Sequence, residues 1–189
     1  MSTEGKIKIH TEGTPNPNAL KFVLDRNILD SKTYNFPNKE KAEASPLAKK
    51  LFEITSVKEV FLGKNFITVS KEQAALWESM YEKVISVISK HFESGEKIVF
   101  EDKFDTTNDK ETMGNNVVGK ILEILDSKIR PAVAGDGGDV IFDSYEDGIL
   151  RLHLQGSCSH CPSSIMTLKS GIEAMLKREI PELKEVISV

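Results

Sequence analysis

The chain has 189 residues, 39% hydrophobic and 29% charged, with a formal net charge of −4, enough apolar material for one large core or two small ones. No apolar run approaches the ~20 residues needed to cross a bilayer. An acidic chain without a basic arm also has no footing on a phosphate backbone, so neither a membrane nor a nucleic acid is expected as a partner. The start Met1-Ser2-Thr3-Glu4-Gly5 holds no apolar signal core and already includes an acid. It leads to the expectation of a cytoplasmic protein of bacterial type, although a processed organellar form would look the same.

Lys6-Ile7-Lys8-Ile9-His10 alternates as a strand does, and Ala19 to Leu24 resumes the pattern after the break Thr14-Pro15-Asn16-Pro17-Asn18. That break is an extended, turn-prone segment, a candidate client groove or simply a shaped loop. Ser45-Pro46 pairs an N-cap with proline at the first helical position and predicts a short helix through Leu47, Leu51 and Phe52. Val57 to Leu62 and Phe66 to Val69 read as a hairpin around Gly63-Lys64-Asn65, where glycine would supply a positive φ. From Gln73 to about His91, Leu76, Trp77, Met80, Val84, Ile85, Val87 and Ile88 mostly recur three or four apart and mark the core face of a long helix.

Residues 101–115 hold two large apolar side chains among acids, Thr and Asn, and read as an acidic flexible linker between a domain at 1–100 and one at 116–189. Asn116 then caps a helix carrying Val118, Ile121, Leu122, Leu125 and Ile129, expected to stop near Pro131. Gly135-Asp136-Gly137-Gly138-Asp139 follows. It lacks the Gly-Lys-Ser/Thr ending of a phosphate loop and comes after a helix, so a glycine turn is expected, with Asp136, Asp139 and Asp143 as turn and surface residues. Two strands joined at Glu146-Asp147-Gly148 come next, the second with Leu150, Leu152 and Leu154 on one face and Arg151 and His153 on the other. A helix with Ile165, Leu168, Ile172, Met175 and Leu176 runs to Pro181, and Val186 to Val189 can add a last strand. The fold class expected is α+β in two small domains: an N-terminal antiparallel sheet with helices, and a C-terminal α-β-β-α-β domain with a CxxC loop.

The sequence contains two cysteines, Cys158 and Cys161, in Gly156-Ser157-Cys158-Ser159-His160-Cys161-Pro162, where the second strand gives way to the last helix. Unsatisfied N–H groups at a helix start favour thiolates, and thiolates at this spacing can share one soft metal or close a disulfide. A pair of buried structural cysteines is the plainer reading, which the metal-type spacing and the Gly and Ser flanks weaken. Three chemistries compete. A dithiol oxidoreductase would show a βαβ lead-in and a later proline beside the thiols. A zinc-stabilised interaction module would need ligands such as His153 or His160, but His160 lies inside the tight loop. An iron–sulfur site needs four ligands, which two chains together supply, enough for one [4Fe–4S] or [2Fe–2S] cluster. His10, His91 and His153 read as isolated and solvated, and no Ser–His–Asp or paired-carboxylate arrangement emerges, so no catalytic residue is assigned.

Gly135 to Asp139, Leu150 to Leu154, Gly156-Ser157-Cys158, Cys161-Pro162-Ser163-Ser164, Thr167-Leu168-Lys169 and Gly171-Ile172-Glu173 closely resemble the NifU C-terminal domain. Thr14 to Phe22, Ser45-Pro46-Leu47-Ala48 and Phe61-Leu62-Gly63 resemble the companion N-terminal domain of Nfu-type proteins. The resemblance implies a non-enzymatic iron–sulfur cluster scaffold or carrier. It makes Cys158 and Cys161 the metal and cluster ligands and favours a [4Fe–4S] cluster bridging two chains. The implied partners are a second copy when cluster-bound, apo iron–sulfur client proteins and upstream cluster-assembly proteins. His160 departs from the small residue, commonly glycine, that many relatives carry there.

Overall fold

The computed structural model describes residues 6–30, 32–103, 116–159 and 162–189, so His160, Cys161 and most of the expected linker lie outside the described residues. The chain forms two compact units, Met1–Asp105 and Thr106–Val189. No helix among the described residues is long and apolar enough to cross a membrane.

In the first unit β1 (Ile9–Gly13), β2 (Ala19–Leu24), β3 (Tyr34–Phe36), β4 (Val57–Leu62) and β5 (Phe66–Lys71) form one antiparallel sheet in the order β1-β2-β5-β4-β3. The first strand starts two residues later than the alternation at Ile7 suggests, because its partner β2 ends at Leu24, opposite Ile9; Ile7 is buried all the same, at 8% exposure. Two helices cover the sheet, α1 (Pro46–Leu51) and α2 (Trp77–Ser94). Ser45 caps α1 by accepting the Ala48 N–H at 3.1 Å, while its own hydroxyl donates to the Ile98 carbonyl. Met80, Val84 and Ile88 bury the inner face of α2 against Phe22, Leu47 and Val69. Leu76 does not join them: it stands outside the first turn, 68% exposed.

The 57–71 hairpin forms as expected, but Gly63 serves it differently. Its φ is not positive; a Cβ there would meet the Phe66 ring at 2.4 Å, so any larger residue would have to displace that ring. His91 is also not solvated. It is 1% exposed near the end of α2, and among the described residues neither ring nitrogen makes a hydrogen bond of good geometry; its Nδ1 stands 3.5 Å from Glu96, which Lys50 engages. The first residues of the expected linker stay with this unit: Glu101–Lys103 form a 3-10 turn, and the Tyr34 hydroxyl donates to Glu101 at 3.0 Å. Burial, then that carboxylate, pushes the Tyr34 phenol up to about 12.

The second unit runs α3 (Asn116–Ile124), a π turn at Leu125–Ile129, α4 (Arg130–Gly135), β6 (Gly138–Glu146), β7 (Ile149–Gly156), α5 (Pro162–Glu179) and β8 (Glu185–Ser188). This is the expected α-β-β-α-β order. β6 and β7 are antiparallel, and β8 joins β7 in parallel. The first helix does not stop near Pro131 but continues to Gly135. The reason is the π turn: Arg130 N–H bonds Leu125 O, five residues back, so the extra residue is absorbed just before a proline that has no N–H to contribute. Ile121, Leu125, Ile129, Leu150, Leu152, Ile172 and Leu176 close the core.

Candidate functional site

Cys158 sits two residues after the end of β7 at Gly156 and four before the start of α5 at Pro162. Gly156 turns the backbone there with φ +71°, a conformation open to glycine and strained for other residues. The turn is then tied down. Ser159 sends both its N–H (3.2 Å) and its hydroxyl (2.8 Å) to the Gly156 carbonyl. Ser157 reaches across to the 135–139 segment, its N–H donating to Gly137 O at 3.3 Å and its hydroxyl to Asp136 O.

Cys158 itself is 3% exposed and belongs to the hydrophobic core of the second unit. Its Sγ lies 3.6 Å from Ser157 Oγ. The opposing strand leaves it little room: a Cβ on Gly138 would stand 3.2 Å from that sulfur and 2.5 Å from Gln155 O. Gly138 pairs with Gly156 across β6 and β7, so both glycines serve the same close approach of two backbones.

Behind Gly138 stands an ion pair. Asp139 is no surface residue: it is 3% exposed, and Arg130 grips it with two parallel bonds, Nε to Oδ1 at 2.9 Å and Nη2 to Oδ2 at 2.8 Å. Asp139 Oδ1 also accepts the Val140 N–H at 2.8 Å. Asp126 takes the remaining Arg130 arm at 3.0 Å. The paired carboxylate, its hydrogen bonds first, holds the Arg130 guanidinium well above its usual range. An ionised fork on a buried carboxylate fixes the start of β6, and with it the carbonyls of Asp136 and Gly137 that hold Ser157.

The remaining sequence candidates separate. Gly137 does adopt the expected positive φ, +83°. Asp143 lies where the β6–β7 register shifts and meets His153 Nε2 at 3.2 Å, while His153 Nδ1 contacts the Val189 carbonyl at 2.9 Å. His153 is therefore held between strand and C-terminus instead of standing isolated. His10 alone of the three is exposed, with Glu12 at 3.4 Å. Among the described residues no three His, Cys, Asp or Glu side chains gather as a metal site, so His153 and the three aspartates do not assemble around Cys158. The sequence reading missed the roles of Arg130, Gly138 and Ser157. The pairing of Asp126 with Arg130 four residues on was the available signal, since that spacing puts them on one helix face.

Comparison with known proteins gives the family. Residues 9–95 match the model described as "Scaffold protein Nfu/NifU N terminal", and residues 121–187 match the "NifU-like domain". A Drosophila persimilis protein is 45% identical over 192 aligned positions, covering 100% of this chain and 68% of the relative. A Homo sapiens protein is 47% identical over 182 positions, covering 96% of this chain and 71% of its own length. Both are named "NFU1 iron-sulfur cluster scaffold homolog, mitochondrial". A Drosophila willistoni protein of the same name is 45% identical, and the chain spans 63% of it. The solution structure of a NifU-like protein from Saccharomyces cerevisiae is 28% identical, with a TM-score of 0.47, over 52% of this chain and 89% of that one.

These names correct the expectation of a bacterial-type cytoplasmic protein: the relatives are mitochondrial by name. The physical reason is that a compartment is addressed by a targeting segment, and two folded domains carry no trace of it. Matched by both domain models in order, and by relatives along nearly its whole length, the chain belongs to the Nfu/NifU family.

Proposed function

We propose that this chain is an iron–sulfur cluster scaffold that holds its cargo between two copies and passes it to apo-proteins, without catalysing a reaction of its own. Cys158 and Cys161 are the ligands in this reading. The observation that carries it is the thiol count: two cysteines in the whole sequence, at metal spacing and at a helix entrance, make half of a four-thiolate site. Family membership and the relatives' names support it. A [4Fe–4S] cluster, or a [2Fe–2S] one, is the cargo that four thiolates from two chains would suit. The partners are a second copy in the loaded state, client apo-proteins and an upstream assembly protein.

Cys158 lies in the core at 3% exposure, so loading has to draw its sulfur outward. That movement requires the loop to give up bonds that Ser157 and Ser159 make to the Asp136, Gly137 and Gly156 carbonyls. Handover then proceeds by ligand exchange: each client thiolate binds iron as one of this chain's sulfurs leaves, and the departing thiolate takes the proton given up by the client thiol. In this division of labour residues 116–189 carry the cluster, residues 101–115 tether it, and residues 1–100 engage partners.

Anaerobic reconstitution with iron and sulfide, read by absorption and Mössbauer spectra, tests the proposal. About one cluster per two chains is expected, with dimerisation on loading. Cys158→Ala and Cys161→Ala should each abolish retention. A cluster retained by the Cys158→Ala/Cys161→Ala double variant, or disulfide turnover without iron, would sink it.

A further inference from the structure

A sulfur that is to bind metal has to face outward, yet the chain stores Cys158 in the core of the second unit, in one cluster with Leu150, Ile172 and Leu176. Two layers keep it there. The inner layer is steric: a Cβ on Gly138 would stand 3.2 Å from the sulfur and 3.5 Å from Val133 Cγ1, so the thiol lies against a slot that the absent side chain leaves open. The outer layer is Ser157, itself 1% exposed. Its N–H and its hydroxyl both cross to the segment before β6, to the carbonyls of Gly137 and Asp136.

The two sides of this contact are held unequally. The 136–138 side is anchored, because Arg130 grips Asp139 with two bonds and Gly138 pairs with Gly156 in the ladder. The 157–159 side is a turn that pivots on Gly156, at φ +71°, and Ser159 bonds back within it to the Gly156 carbonyl. Cys158 can therefore leave the core by the turn lifting from β6, and the residue that resists this is Ser157.

We infer that Ser157 is a positioning residue whose bonds latch Cys158 in the core of the cluster-free chain, and that the latch closes again as cargo leaves and so favours handover over retention. The inference rests on the ligand role proposed for Cys158. Binding draws on the fraction of chains with the latch open, and the apparent affinity for a thiolate-seeking metal falls by that fraction. On handover the Cys158–iron bond breaks as a client thiolate–iron bond forms, and the proton given up by the client thiol passes to the Cys158 sulfur. The neutral thiol then returns to its apolar slot. Each closure withdraws one competing ligand from the iron, which suits a protein that must give its cargo away. At the usual net worth of one hydrogen bond, the Ser157 hydroxyl shifts the ratio of closed to open chains about fivefold.

Ser157→Ala removes the hydroxyl and keeps the N–H. The full cluster-free chain is treated with iodoacetamide without oxygen, Cys158 labelling is read by peptide mass spectrometry, and the urea-unfolded chain serves as the open reference. The unmodified chain should label far more slowly than that reference, and Ser157→Ala about fivefold faster than the unmodified chain in the absence of urea. Ile121→Val, a core change on α3 that lowers overall stability, should label at the unmodified rate, because local opening carries the reaction. Cadmium(II) alone, followed by its thiolate absorption, should bind Ser157→Ala about fivefold more tightly. Reconstituted Ser157→Ala should lose its cluster more slowly to an excess of ferrous chelator. Labelling of the native chain as fast as of the unfolded one, no change in labelling or cadmium affinity in Ser157→Ala, or equal acceleration in Ile121→Val would overturn the inference. Faster labelling and tighter cadmium binding in a chain that refuses iron would support the latch and sink the cluster reading alone.

Discussion

Arg130→Ala is the sharpest test of how the second unit is held together. The Asp139 side chain is 5% exposed and carries a bidentate bond from a guanidinium that is 36% exposed. Removing one partner of a buried pair typically costs about 3–5 kcal/mol, because the other charge loses its compensation. Arg130 is partly wet, so water can enter the vacated space, and the loss should fall near the bottom of that range, about 3 kcal/mol. Arg130→Lys keeps the charge but loses the fork, and should cost about 1 kcal/mol. Asp126→Ala, whose side chain is 66% exposed, should cost no more than about 0.5 kcal/mol. Amide exchange of buried Val140, Leu150 and Leu152 reads the second unit, and urea unfolding followed at Trp77 reads the first as an internal control. A loss below about 1 kcal/mol in Arg130→Ala, or an equal loss in Asp126→Ala, would refute the view that a buried fork fixes the start of β6.

Three further outcomes follow from other contacts. Gly138→Ala forces a methyl to within 2.5 Å of Gln155 O and 3.2 Å of Cys158 Sγ; it should cost about 1–3 kcal/mol and speed alkylation of Cys158, read by peptide mass spectrometry of the cluster-free chain. Ser45→Ala removes the α1 cap and the donor to Ile98 O together, for about 2 kcal/mol in a Trp77-monitored urea titration. Burial, then Lys50, lowers the His91 pKa, with Glu96 opposing more weakly. With the folded value below the unfolded one of about 6.5, the unfolded chain takes up the proton first as pH falls. Stability of the first unit should therefore be full above about pH 7 and decline as pH falls through about 6.5, and His91→Phe should flatten that slope. A slope unchanged in that variant would show that another group is titrating.

Elements announced by their own residues were legible, and those decided by distant ones were not. Ser45-Pro46, the period of Met80, Val84 and Ile88, and the alternation of Leu150 and Leu152 each act within one turn or one strand, so the pattern and the structure coincide. β3 is three residues long and exists only because Tyr34, Asn35 and Phe36 meet Leu62, Phe61 and Val60; nothing local signals it. Pro131 signals a helix end locally, and the π turn that defeats the signal has no comparable mark. The candidate site divides the same way. Spacing and the strand-to-helix junction pointed to Cys158, but its burial depends on Gly138 coming across from β6, and that approach depends on Arg130 reaching Asp139 nine residues on. A polar side chain in a glycine turn is expected at the surface because solvation is its cheapest environment. Asp139 departs from that expectation only once a cation from a neighbouring helix is in place, so its burial is a property of the assembled unit and could be read only after the helix was known to run past Pro131.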